Sequence, residues 1–111
     1  MAASQKKYEI CYSYVAQGNS SLTAATENYY RFTANVGTIT INLPAVPTDG
    51  YSHSIFFKFT TGTSPNITWR VNGGTTGLLY YSDFAIEASK TYEINALSNG
   101  SEWIIAYATI G

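Results

Sequence analysis

Apolar and polar residues alternate along most of this chain with a period of two, the spacing that puts every second side chain on one face of a strand. In "KKYEICYSYV", Tyr8, Ile10, Tyr12 and Tyr14 share one face and Glu9, Cys11 and Ser13 the other. "NYYRFTA" sets Tyr30 and Phe32 against Tyr29, Arg31 and Thr33, and "TITINL" sets Ile39, Ile41 and Leu43 against Thr38, Thr40 and Asn42. "SIFFKFT" places Ile55, Phe57 and Phe59 opposite Phe56 and Lys58, and "NITWRV" turns Ile67, Trp69 and Val71 inward. Two further strands follow, "KTYEINAL" with Tyr92, Ile94 and Ala96, and "EWIIAYATI" with Trp103, Ile105 and Tyr107. A short strand over 78–81 with a turn at Ser82 and Asp83 completes the set.

The breaks are as legible as the strands. "QGNSSLTAATE" reads as a polar connection with room for at most one helical turn. Pro44 ends the third strand, because it lacks the N–H that a ladder needs. Pro47 and the Asp49-Gly50 pair turn the chain, "TGTSP" reads as another turn, and "SNG" as a tight hairpin. The glycines of "NGGTTG" mark the loosest stretch. Seven or eight strands at a spacing of roughly 8–12 residues, with no helical pattern, predict an all-β fold: a single-domain antiparallel β-sandwich, jelly-roll-like, over residues 1–111.

Composition narrows the function classes. Charged residues are 12% of the chain, about half the ~25% usual in soluble domains. Ser, Thr and Asn, at 11, 14 and 8 residues, replace them. A net charge of −1 gives no basic field to collect phosphates, so no nucleic-acid partner is expected. Weak self-repulsion favours association, which predicts a homo-oligomer. No stretch approaches the ~20 apolar residues that cross a bilayer, so no membrane partner is expected. "MAASQKKYEI" has no apolar run after its lysines, so it does not read as a secretory signal.

The candidate chemistry is thin. Cys11 is the one cysteine and reads as a buried, inert thiol. His53 is the one histidine; Ser52 and Ser54 fall on the opposite strand face, so it reads as a solvated strand-edge residue with no nucleophile beside it. One histidine and one cysteine cannot supply a zinc site. Asp49, Asp83, Glu87, Glu93 and Glu102 are scattered, with no pair set apart for acid–base work. No catalytic, cofactor-binding or metal-binding residue is expected. Aromatics make up 15% of the chain, and they offer contact area with a polar tip. Trp69 and Trp103 are in phase with apolar neighbours and read as core. Tyr29, Tyr51, Tyr80 and Tyr81 are the candidate contact surface, with stacking on glycan rings as the alternative use.

"ITINLPAVPTDG", "IFFKFTTGTSPNITW", "KTYEINALSNG" and "SEW" together resemble a β-rich domain family of bacteriophage virion structural proteins. The shared rhythm covers about residues 27–103. The resemblance implies a place in a phage particle and no enzymatic activity, and it carries over no functional residue. It leads to the expectation of a capsid-decorating or head-associated protein docked on other virion proteins, with a trimer as the expected form of self-association. A tail, fibre or baseplate module that binds host glycans is the alternative.

Overall fold

Residues 54–71 decide the architecture. The computed structural model describes residues 11–15, 18–80 and 85–110, with side chains from residue 21 onward. Its strands are β1 (Cys11–Val15), β2 (Gly18–Thr23), β3 (Asn28–Phe32), β4 (Val36–Leu43), β5 (Ser54–Val71), β6 (Leu78–Tyr80), β7 (Thr91–Ser98) and β8 (Trp103–Ile110). Among the described residues there is no helix. β5 runs for 18 residues and belongs to both halves of a curled, mixed sheet.

The first arm of that sheet has the order β1-β3-β5-β7-β8-β6, and the second contains β2, β4 and residues 66–71 of β5. Each passage of the chain lays a strand in the first arm, continues into the second and returns. Successive passages therefore stack in parallel: β1 on β3 on β5 in one arm, β2 on β4 on β5 in the other. This corrects the antiparallel sandwich expected from sequence. Only the β5–β7 and β7–β8 pairs are antiparallel among the paired strands. Parallel strands need a long crossover, and here the strands of the second arm supply it.

Two sequence expectations fail for related reasons. "TGTSP" does not turn. Val36 pairs with Thr61 and Thr38 with Asn66, so residues 62–65 bulge out of the ladder while staying extended. Pro65 is tolerated there because a bulge demands no N–H. The polar run from Gly18 is strand β2, since Leu22 packs on the core and Ala24 is buried while Ser21 and Thr23 face out. One half-buried leucine is too weak a period-2 signal to see without its neighbours. Tyr8, Ile10, Tyr81 and the Ser82–Asp83 turn lie outside the described residues, as do the side chains of Cys11, Tyr12 and Tyr14.

The core sits between the arms. Parallel register sets Tyr30 against Phe57, with ring centroids 5.7 Å apart and stacked, and Phe32 meets Phe59 edge-on at 5.6 Å. Phe57 then meets Trp69 across the fold at 5.5 Å, so the two halves of β5 pack on each other. Both tryptophans are buried, as their phase predicts, and Trp103 donates its indole N–H to the Pro44 carbonyl at 2.8 Å. Buried tyrosines use their hydroxyls on backbone: Tyr30 accepts from Ala25 N–H and Tyr92 from Glu87 N–H. Covering a ring while satisfying its polar tip is what tyrosine permits.

Candidate docking surface and the His53 clasp

Asn72 and Gly73 have φ of 49° and 81°, both in the left-handed region that a type I′ hairpin requires. Val71 and Gly74 exchange both backbone hydrogen bonds around them. This turn leads the chain out of the second arm toward β6. The Asn99–Glu102 turn closes the β7–β8 hairpin at the far end, where Asn99 Oδ1 accepts from the Ser101 and Glu102 N–H groups. Gly77 N–H-side geometry is likewise left-handed, at φ 89°, and its carbonyl receives the Trp103 N–H, which aligns β6 with β8.

His53, just before β5, has a carboxylate on each ring nitrogen. Its Nδ1 lies 2.9 Å from Glu27 Oε1 and its Nε2 2.8 Å from Asp49 Oδ2. Glu27 comes from the β2–β3 turn, at φ 58°, and its second oxygen accepts the Ser54 N–H at 3.1 Å. Bonds to Glu27 and then Asp49 raise the His53 pKa above its ordinary value. Burial works to raise Glu27, but the bonds from His53 and Ser54 outweigh it and the net shift is downward. Asp49 is lowered by His53 and then by the Tyr51 N–H.

This arrangement corrects the reading of His53 as a solvated strand-edge residue. The ring is 21% exposed and joins two turns to the start of β5. It does not form a nucleophile–base pair, because carboxylates occupy both nitrogens. The Ser98 hydroxyl is committed to the His53 backbone N–H, at 2.8 Å, and not to the ring. Nor do the two carboxylates converge on one point. They sit on opposite ring nitrogens, and among the described residues no cluster of His, Cys, Asp or Glu is arranged to hold a metal.

The candidate contact tyrosines occupy separate places. Tyr29, on the outward face of β3, donates to the Glu93 carboxylate and lies 6.2 Å from the Phe56 ring. Tyr80, on β6, borders a recess of about 280 Å3 with Trp69, Ile67, Pro65 and Ile86. Partial burial raises its hydroxyl pKa. β3 and β6 are separated by three strands, about 19 Å at the usual strand spacing. Tyr51 projects from the loop before β5, 65% exposed. Tyr29, Tyr51 and Tyr80 thus do not form one flat platform.

Sequence reasoning missed the apolar residues that do cluster. Leu97, Ile104 and Leu79 are register partners across β7, β8 and β6 and point outward from the first arm. Leu79 is 47% and Leu97 38% exposed. They lie at the end of the arm that also carries Tyr51, beside the Asn99–Gly100 turn. Outward apolar residues in the phase opposite to the core were the available signal. No family model, curated relative or solved structure is significantly similar to this chain.

Proposed function

We propose that this chain is a non-enzymatic structural protein of a bacteriophage particle, a capsid-decorating or head-associated accessory that docks on other virion proteins. The observation that carries this reading is the apolar end of the first arm. Leu79, Ile104 and Leu97 form an uncovered outward row with Tyr51 beyond it. Exposed apolar side chains in one row, on a surface otherwise rich in hydroxyls and amides, fit a protein partner reached without charge steering. The resemblance to virion domains points the same way.

The test is incorporation into particles. Mass spectrometry of purified particles is expected to find the chain at a fixed ratio to the major capsid protein. The double change Leu79→Asp with Leu97→Asp is expected to abolish incorporation while the purified variant keeps its β-sheet circular dichroism. Particles that carry no trace of the wild-type chain would overturn the reading, as would undiminished incorporation of the folded variant.

A further inference from the structure

The outward face of the first arm has an order across its strands that register fixes. One row reads Tyr29, Phe56, Asn95, Ala106 from β3 through β5 and β7 to β8. The adjacent row reads Arg31, Lys58, Glu93, Ala108. Bulk falls from one side to the other in both rows, and charge changes sign between β5 and β7. Tyr29 and Phe56 form a ridge. Beside it runs a shallow groove of about 210 Å3, lined by Phe56, Glu93, Asn95, Ala106 and Ala108.

We infer that this face joins a second copy of the chain about a two-fold axis that runs along the strands midway between β5 and β7. Such a rotation keeps each residue's level along the strand and reverses the strand order. Tyr29 then faces Ala106 of the second copy, and Phe56 faces Asn95, so each ridge enters the other copy's groove. Lys58 faces Glu93 of the second copy, and Glu93 faces its Lys58. The face is therefore self-complementary in shape and in charge, as an isologous interface must be.

Register confines the overlap to β3 on β8 and β5 on β7 of the two copies, because β1 and β6 share only the level of Cys11 and Tyr80, and Leu79 and Ile104 lie outside it. Four strands by about six residues span about 19 by 20 Å, or roughly 400 Å2 before side-chain relief, the scale of a weak dimer beside the ~800 Å2 per partner of a stable complex. The net charge of −1 sets little overall repulsion against it. This inference goes beyond the particle reading: it uses the same sheet face, brings Leu97 against Ser54 of the second copy, and leaves Leu79 and Ile104 at the end of the arm for the particle.

Sedimentation equilibrium of the purified full chain at 1–100 µM (about the range that separates weak from stable dimers) tests it. Wild type is expected to be a dimer. Lys58→Glu and Glu93→Lys are each expected to weaken self-association at least about tenfold, because like charges then face each other. An equimolar mixture of the two variants is expected to form a 1:1 heterodimer. Lys58 and Glu93 are also cross-strand neighbours within one chain, but an intrachain pair cannot produce association on mixing. A monomeric wild type, a trimer, indifference to both changes, or no association on mixing would overturn the inference. If either charge variant loses its β-sheet circular dichroism, Ala106→Arg replaces it: a folded Ala106→Arg chain that remains dimeric overturns the inference as well. These experiments need no particle, so their outcome is separate from that of incorporation.

Discussion

His53 and Glu27 hold the β2–β3 turn to the start of β5, with Nδ1 and Oε1 2.9 Å apart. The pKa of His53 is raised and those of Glu27 and Asp49 are lowered. A raised histidine contributes stability that is fully present below its unfolded value, near ~6.5, and is lost as pH rises through the folded value. Lowered carboxylates contribute stability present above ~4 and lost as pH falls through their folded values. The clasp is thus strongest between about pH 4.5 and 6.5. Melting curves are expected to show a Tm that declines from pH 6 to pH 8.5. With ion pairs this exposed the change is small, a few degrees at most. His53→Gln is expected to flatten the decline, and an unchanged slope in that variant would refute the assignment.

Thr61 is buried where β5 leaves the first arm. Its hydroxyl donates to the Glu87 carbonyl at 2.7 Å and accepts the Lys90 N–H at 3.0 Å. Thr61→Val keeps the shape and strands both groups, a cost of about 1–3 kcal/mol. Urea denaturation should give that loss, and amide exchange should speed up at Lys90.

Trp103 separates packing from hydrogen bonding. Trp103→Ala removes a fully buried side chain and is expected to cost about 3–5 kcal/mol. Trp103→Phe keeps most of the ring and loses the bond to the Pro44 carbonyl, so it is expected to cost less. Equal losses in denaturant melts would show that burial of the ring adds nothing beyond the indole N–H bond to the Pro44 carbonyl.

Gly73 sits at φ 81° with open space around its α-carbon. Gly73→Ala therefore introduces backbone strain and no clash, and is expected to cost about 1 kcal/mol. A neutral result by chemical denaturation would show that the turn relaxes to another type.

The strand faces were readable because one hydrophobic core dictates them: Ile39, Ile41 and Leu43, or Tyr92, Ile94 and Ala96, could not alternate so regularly for another reason. Strand direction was not readable. Nothing local distinguishes β3 lying parallel to β5 from an antiparallel pair, since either buries Tyr30 and Phe57. The continuity of β5 through Pro65 was hidden because a bulge and a turn demand the same residue types. The clasp was hidden because Glu27 is 26 residues from His53, and only the return of the chain brings them together. The apolar row of Leu79, Ile104 and Leu97 became visible once the parallel β6–β8 pairing set its register.

The most direct measurement is a cryo-electron microscopy difference map between wild-type particles and particles assembled with the gene for this chain deleted. The account predicts symmetric surface density, of a size to fit this β-fold, that is present in the first and missing from the second. Identical maps would contradict it.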